Sequence, residues 1–286
     1  LVMGVVNVTP DSFSDGGLFA DRTAAIQHGI RLIAEGADIL DIGGESTRPG
    51  VATGQSPGIS ADEEIRRAIP VIEGVLSAKP DAVVSIDTYK AETARAAIDA
   101  GAEIVNDVSG LQWDRAMADT VAKHECGLVL MHTRGTPSEW RNLPKLEDPL
   151  PTVLRELGAR VDSATGAGIA RDRIVADPGF GFGKRFEENY PLLARFSEFG
   201  KLGIPLLAGP SRKSFIGRAV GRRLSEIART DPKDAPAEQR LYGTLAAITA
   251  CVLQGAHIVR VHDVRPAVEA LAVADAILSS WSTGSF

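Results

Sequence analysis

The sequence alternates short apolar runs with longer amphipathic segments, and this alternation restricts the possible folds more than any other feature. The runs are almost continuously apolar, which is typical of parallel strands that helices cover on both faces. Eight of them occur, at residues 2–8, 38–42, 82–86, 103–108, 127–131, 173–176, 204–208 and 257–261.

The segments between the runs have apolar residues at helical spacing. Isoleucines at i, i+4 and i+7 within residues 26–33 predict a helix with one buried face. The segment 60–78 repeats this pattern, begins with a capping box of Ser60 and Glu63, and contains Pro70, which should kink it. Further helices are expected at residues 91–100, 115–124, 151–165, 187–199, 237–254 and 266–278.

Eight strands, each followed by a helix, predict an α/β fold: a single (β/α)₈ TIM barrel occupying residues 1–286 as one domain. An open doubly wound sheet is the alternative, but no G-x-G-x-x-G motif opens a helix, which weakens its dinucleotide-binding form. Residues 9–20 and 47–59 follow the first two strands and predict long loops at the rim where barrels place active sites. Residues 222–236 are charged, contain two prolines, and are expected to form an irregular surface excursion.

Composition limits the partners and the compartment. The formal net charge of −6 argues against nucleic acid or a membrane surface as the main partner. No apolar run reaches the length of a membrane span. Cys126 and Cys251 are far apart and lie in no metal-binding pattern, so neither a disulfide framework nor a zinc site is expected. Free cysteines of this kind are typical of a reducing compartment, and we expect a cytoplasmic location.

Cations gather at the ends of the last two strands. Residues 211–214, Ser-Arg-Lys-Ser, open a predicted helix, and Arg260 and His262 end the eighth strand. Helix N-termini bind anions, and the loops after strands seven and eight of a barrel often bind phosphate. These residues therefore predict a site for an anionic group.

Hydrogen-bond acceptors gather on the opposite side of the predicted rim. Asp87, Asn106 and Asp177 end the third, fourth and sixth strands. Asn7, which ends the first strand, is a further polar residue of the rim. Buried acceptors of this kind suit a flat, nitrogen-rich heterocycle whose N–H donors would be costly to leave unpaired. The rim as a whole predicts an anionic heterocyclic substrate.

Other polar residues near the strand ends have simpler explanations. Asp107 and Asp263 are expected to cap helices, and Asp41 could serve loop hydrogen bonds. His132 is as readily structural as functional, and Lys184 could be a solvated loop charge. The three tryptophans show no stacking pattern.

Several of these stretches resemble the signatures of the dihydropteroate synthase family. Residues 7–17 and 43–50 are similar to its two long glycine-containing signatures. The shorter motifs follow in the family's order at residues 85–88, 105–110, 177–184, 211–217 and 260–264. The resemblance extends from residue 2 to residue 278, and residues 133–146 depart from it.

The resemblance implies a folate-pathway transferase that joins 4-aminobenzoate to 6-hydroxymethyl-7,8-dihydropterin diphosphate and releases pyrophosphate. The residues implied to hold the pterin are Asp87, Asn106, Met131, Asp177, Lys213 and Arg260. Those implied at the pyrophosphate are Asn7, Arg260 and His262, with Mg²⁺ at Asn7. Those implied around the aminobenzoate are Phe13, Thr47, Arg48, Pro49, Phe182 and Ser214, with Asp15 on the first long loop. A homodimer formed through the late helices is also implied.

The catalytic set expected from this resemblance comprises Asn7, Asp87, Lys213, Arg260 and His262. The reaction would be a dissociative substitution at the pterin methylene carbon, helped by positive charge around the departing pyrophosphate. Two alternatives share the barrel and the pterin acceptors. One is a pterin-dependent methyltransferase, which would not need the pyrophosphate cations, and the other is a non-catalytic paralogue.

Overall fold

A computed structural model describes residues 1–8, 17–45 and 58–282 of the chain. Within these residues, eight parallel strands alternate with helices. The strands are β1 (Val2–Asn7), β2 (Ile39–Gly43), β3 (Val83–Asp87), β4 (Ile104–Asp107), β5 (Gly127–Met131), β6 (Ile174–Asp177), β7 (Leu207–Ala208) and β8 (Ile258–Val261).

Nine α-helices are present in the described part of the chain, and none of them is long and apolar enough to cross a membrane. They are α1 (Gly17–Ala34), α2 (Ala61–Ala78), α3 (Ala91–Asp99), α4 (Met117–His124), α5 (Pro149–Gly166), α6 (Asn189–Ala194), α7 (Ser214–Ala228), α8 (Leu241–Leu253) and α9 (Val264–Ser282). Short 3₁₀ helices occupy Arg171–Arg173, Phe186–Glu188, Phe196–Leu202 and Ala237–Gln239.

The strands close into a barrel. Their order is β6-β5-β4-β3-β2-β1-β8-β7, and a parallel bridge between Ala176 and Leu206 joins β6 to the start of β7. The backbone N–H of Ala176 also donates to the carbonyl of Pro205 at 2.9 Å. The predicted TIM barrel is therefore confirmed, and the open doubly wound alternative is wrong.

The lower half of the barrel interior is filled by apolar side chains, one from each strand. Five are buried and three are partly buried against them: Met3, Ile39, Val129, Leu207, Ile258, Val83, Ile104 and Val175. This layer is a packed core rather than a channel. Ligands can therefore enter only at the carboxyl ends of the strands, where the polar residues lie.

The helix predicted at residues 237–254 is divided into a 3₁₀ helix at Ala237–Gln239 and α8. The predicted elements differ from the structure in three further places. β7 starts later than expected because Pro205 has no N–H to donate to a ladder. Residues 187–199 do not form one helix: α6 ends at Ala194, and a 3₁₀ helix follows. That helix brings the buried side chains of Phe196 and Phe199 to one face, since a 3₁₀ helix has three residues per turn.

The third difference concerns residues 222–236, which are not irregular throughout. Helix α7 continues to Ala228 and ends at Arg229, whose φ is 57°. In helix α2, the backbone stays helical through Pro70. The Ser60 hydroxyl accepts from the Glu63 amide at 3.2 Å, which is one half of the predicted capping box. The Glu63 carboxylate accepts instead from Arg66 and Arg67 at 2.6 and 2.9 Å. Of the two expected long loops, only the edges lie within the described residues, and residues 17–20 belong to α1.

Candidate active site

A cavity of about 270 Å³ opens at the carboxyl ends of the strands. It combines cations from the β7 and β8 loops with carboxylates from β3 and the β2 loop. The residues that line it are Val5, Asn7, Glu45, Asp87, Trp140, Gly181, Phe182, Gly209, Ser211, Arg212, Lys213, Ser214, Ala237, Glu238, Arg240, Arg260 and His262. A groove of about 390 Å³ lies at the opposite end, beside Asp38 and Lys79, where barrel enzymes do not place catalytic groups.

A buried charge network connects four strands at the floor of the cavity. Arg260 donates through Nε to Asp41 Oδ2 at 2.5 Å and through Nη2 to Asp87 Oδ2 at 2.6 Å. The same Asp41 oxygen accepts from Asn106 Nδ2 at 2.9 Å. Arg260 therefore connects the acceptor side of the rim to the cationic side.

Asp41 is a site residue whose role the sequence interpretation missed. Its side chain is 0% exposed and serves Arg260 and Asn106 rather than loop hydrogen bonds. A signal was present, because a charged residue within the buried run Ile-Leu-Asp-Ile-Gly must find a partner inside the protein.

The network shifts the ionisation of its members. Burial raises the pKa of Asp87 to about 7, although Arg260 acts in the opposite direction. Burial also opposes the charge of Arg260, but Asp41 and Asp87 together outweigh it and raise the pKa of the guanidinium. Arg260 therefore remains cationic, whereas the Asp87 carboxyl holds a proton more readily than an ordinary aspartate does.

Three further predicted pterin residues lie behind the cavity lining. Asp177 ends β6, accepts from the Gly179 amide at 2.7 Å, and has a pKa that burial raises. Asn106 is almost fully buried beside Asp41, and Met131 packs in an apolar cluster with Val108 and Phe182. The structure thus brings Asp87, Asn106 and Asp177 together at the barrel mouth, as the sequence predicted.

The cationic side is built around the start of α7. The helix begins at Ser214, preceded by Lys213 in an extended conformation, and no Lys213 side-chain bond caps it. The Ile216 amide already donates to the Lys213 carbonyl at 3.1 Å, so an anion at the cavity wall would meet the amides of Ser214 and Phe215. The Lys213 ammonium lies 4.0 Å from the centroid of the Phe182 ring, a cation–π contact that positions it.

The turn before α7 is held by partners on two other elements. Arg212 has a φ of 56°, and its guanidinium donates to both oxygens of Asp263 at 3.0 and 2.6 Å. Its carbonyl accepts from Arg240 at 2.8 Å. The Asp263 side chain is thus the ion-pair partner of Arg212 in the turn before α7. Asp263 also directly precedes α9, and its backbone carbonyl accepts from the Ala267 amide at 3.2 Å. Arg240, which also lines the cavity, carried no recognisable motif in the sequence.

His262 is fixed by the same turn. Its backbone N–H donates to Ser211 Oγ at 3.2 Å, and its Nδ1 lies 3.0 Å from that oxygen. When the Ser211 hydroxyl donates to Nδ1, the proton of the neutral ring lies on Nε2. The imidazole of His262 also lines the cavity.

Two other predictions for polar residues are settled by their contacts. Asp107 does not cap a helix, because α4 begins only at Met117. Its carboxylate instead accepts from the amides of Ser109 and Leu111 at 2.8 and 2.7 Å. His132 is fully buried against Glu156 at 3.0 Å, and burial lowers its pKa to about 3, so it is neutral and structural.

Lys184 is not a solvated loop charge, because it is buried and donates to three carbonyl oxygens. Trp140 lines the cavity and meets the Phe182 ring edge-on, with centroids 5.4 Å apart. Both contacts depend on distant loops meeting in the fold.

Five predicted residues lie outside the described part of the chain: Phe13, Asp15, Thr47, Arg48 and Pro49.

The sequence model of the family described as "Pterin binding enzyme" matches residues 3–262, which is most of the chain. The chain therefore belongs to that family of (β/α)₈ barrels.

Within the family, the chain is similar to dihydropteroate synthases. It is 42% identical over 276 residues to the Synechocystis enzyme of that name, an alignment that covers 96% of this chain and 89% of the relative. The Xanthomonas albilineans dihydropteroate synthase solved with 4-aminobenzoic acid is 44% identical, has a TM-score of 0.85, and is matched over 97% of this chain and 92% of that one. The same enzyme solved with 7,8-dihydropteroate is 42% identical with a TM-score of 0.82, matched over 97% and 93%.

Proposed function

We propose that this chain is a dihydropteroate synthase. It condenses 6-hydroxymethyl-7,8-dihydropterin diphosphate with 4-aminobenzoate and releases pyrophosphate. The main support is the network at the cavity floor, in which Arg260 connects the acceptor side of the rim to its cationic side. We call these two surfaces of the cavity the acceptor wall and the cationic wall. A ligand with a donor-rich heterocycle at one end and a diphosphate at the other matches both walls. The Xanthomonas relatives solved with 4-aminobenzoic acid and with 7,8-dihydropteroate support this assignment.

The acceptor wall would bind the pterin. Asp87, Asn106 and Asp177 would receive its N–H donors, Lys213 would donate to its ring acceptors, and Met131 and Arg260 would contact its faces. A carboxylate has about four lone-pair positions, so Asp87 can accept from the pterin while it keeps its bond to Arg260. Apolar competitors would leave these buried acceptors unpaired, which favours the heterocycle.

The cationic wall would bind the diphosphate through Asn7, Arg260, His262 and the first amides of α7. Among the described residues, no group of three or more His, Cys, Asp or Glu side chains could hold a metal by itself. Phosphate-site Mg²⁺ commonly has one or two protein ligands, with phosphates and water completing its shell. The amide oxygen of Asn7, at the cavity surface, fits that pattern. When bound, Mg²⁺ would neutralise charge on the departing pyrophosphate.

The reaction follows from the charges of this chain's residues. The bond between the methylene carbon and the diphosphate oxygen breaks, and pyrophosphate keeps the electron pair. Arg260, His262 and the α7 amides stabilise the negative charge that develops on it. The amine of 4-aminobenzoate forms the new C–N bond and then loses a proton to water. An aromatic amine is a neutral nucleophile at pH 7, so no covalent serine or strong base is needed.

The 4-aminobenzoate would lie beside Phe182 and Ser214, which line the cavity. Phe13, Thr47, Arg48 and Pro49 would complete this pocket, and Asp15 would lie on the neighbouring loop. Exclusion of water from this pocket would protect the carbocation from capture.

A homodimer in the cytoplasm completes the proposal. Helix α8 has no charged residue over its 13 positions, and Tyr242 on it is 83% exposed. Val273 and Trp281 of α9, a helix that packs against α8, are also exposed. An outer helix without charges indicates a covered surface. Light scattering should give twice the chain mass, and a monomer at micromolar concentration would reject this part.

The decisive experiment measures pyrophosphate release by purified protein. Release should require the pterin diphosphate, 4-aminobenzoate and Mg²⁺ together, and the product should be dihydropteroate. A pterin-dependent methyltransferase or a non-catalytic paralogue would release no pyrophosphate from this mixture. The absence of release by correctly folded protein therefore rejects the proposed function.

A further inference from the structure

Lys184 is a buried cation that the proposed reaction does not use. Its side chain is 6% exposed. The ammonium donates to the carbonyls of Gly179 at 2.8 Å, Phe182 at 3.1 Å and His132 at 3.2 Å. The first two acceptors lie in the loop after β6, and the third lies directly after β5. One side chain therefore joins two adjacent catalytic-face loops.

The number of acceptors matches the charged form. An ammonium has three protons, and a neutral amine has two, so all three carbonyls are satisfied at once only when Lys184 is protonated. Burial lowers its pKa well below the ordinary value, and no described carboxylate forms a hydrogen bond with it. Burying such a charge is costly, and an apolar side chain in its place would remove this donor from all three carbonyls.

The two loops are pressed together so closely that side chains are excluded at the contact. Gly179 has a φ of 67°, and a Cβ there would lie 1.9 Å from the carbonyl oxygen of His132. Gly183 has a φ of 66°, and a Cβ there would lie 2.5 Å from the carbonyl oxygen of Arg134. Both glycines are needed for the backbone conformation and for the space. Lys184 fixes the loop in this position by hydrogen bonds.

The loop that Lys184 fixes carries one wall of the cavity. Phe182 lies on it, meets Trp140 edge-on at an interplanar angle of 86°, and supports the Lys213 ammonium 4.0 Å from its centroid. Phe182, Trp140 and Lys213 all line the cavity. A displacement of the loop would therefore move an aromatic surface and a cation together.

We propose that Lys184 is a positioning residue that sets the aromatic wall formed by Phe182 and Trp140 and, through it, the Lys213 ammonium. It touches neither substrate. The naming of the substrates rests on the proposed function, in which this wall borders the place where the 4-aminobenzoate meets the pterin.

The kinetic test replaces Lys184 by methionine, which keeps the length of the side chain and removes its donors. The KM for 4-aminobenzoate should rise about tenfold or more, since small displacements in a site have effects of this size. The KM for the pterin diphosphate should change less, because Asp87, Asn106 and Asp177 are held by strands. The matched control is Lys123→Met, on an exposed position of α4, which should leave both KM values unchanged. A Lys184→Met enzyme with reduced stability and an unchanged KM for 4-aminobenzoate would overturn the proposal.

The second test needs no activity. In a background with Trp113→Phe and Trp281→Phe, Trp140 is the single tryptophan of the chain. Lys184→Met should raise the acrylamide quenching of Trp140 fluorescence about twofold, with the circular dichroism spectrum retained. Unchanged quenching would reject the positioning role even if the chain proves not to be a synthase. If Lys184→Met fails to fold, Lys184→Gln, which keeps two donors, decides by the same quenching criterion.

Discussion

Replacing Asp41 by alanine tests the buried network at the floor of the cavity. Among the described residues, the change leaves Asp87 as the one carboxylate that is hydrogen-bonded to Arg260, and it removes the acceptor of Asn106. Breaking a buried ion pair typically costs about 3–5 kcal/mol. We expect about 3 kcal/mol, the lower end of that range, because Asp87 still compensates part of the guanidinium charge.

Asp41→Asn separates the charge from the hydrogen bonds. Its carbonyl oxygen can take the position of Oδ2, which accepts from Arg260 and Asn106. Its NH₂ would then occupy the position of Oδ1, which is buried and has no partner among the described residues. Charge-assisted hydrogen bonds are about twice as strong as neutral ones, so we expect a loss of about 1–2 kcal/mol.

The assay is urea unfolding of both variants at pH 7, with Asp81→Ala as the control. Asp81 is exposed, and its replacement should change the free energy of unfolding by less than about 0.5 kcal/mol. Pyrophosphate release should fall in Asp41→Ala, because Arg260 would pair with Asp87 alone and move from the diphosphate. A free energy of unfolding for Asp41→Ala within about 0.5 kcal/mol of the unchanged protein would refute the role given to this network.

Three other outcomes are expected. Burial raises the pKa of Asp87 to about 7, and its ionised form accepts pterin N–H donors more strongly than its protonated form, which also carries an O–H donor. kcat/KM should therefore fall as the pH drops below about 7. Asp87→Asn should lower activity and abolish this acidic limb, and a limb that persists would assign it to another group. Gly179→Ala should abolish turnover while the helices remain, because its Cβ would lie 1.9 Å from the His132 carbonyl oxygen; turnover near normal would show that the loop can move away. Chelation of Mg²⁺ should stop pyrophosphate release, and Asn7→Ala should raise the Mg²⁺ concentration needed for half-maximal rate, whereas an unchanged requirement would remove Asn7 from the metal site.

The sequence determined the barrel and the composition of its rim. Parallel strands buried on both faces must be apolar along their length, so eight such runs were visible without knowledge of any contact. The polar residues that end them, among them Asp87, Asn106 and Arg260, share one face because the carboxyl ends of parallel strands meet at the same end of a barrel. Helix starts were also local: Ser60 caps α2, and Ser214 begins α7.

Only the tertiary structure decided which of these groups are partners. Asp41 pairs with Arg260, 219 positions away in the chain, and Asp263 pairs with Arg212, 51 positions away. Lys184 and Trp140 acquired their roles because two loops meet above β5 and β6. Local spacing determines periodicity and capping, since these depend on neighbours within a few positions. It does not determine which buried charge or ring lies opposite another, because that depends on how strands far apart in the chain are aligned.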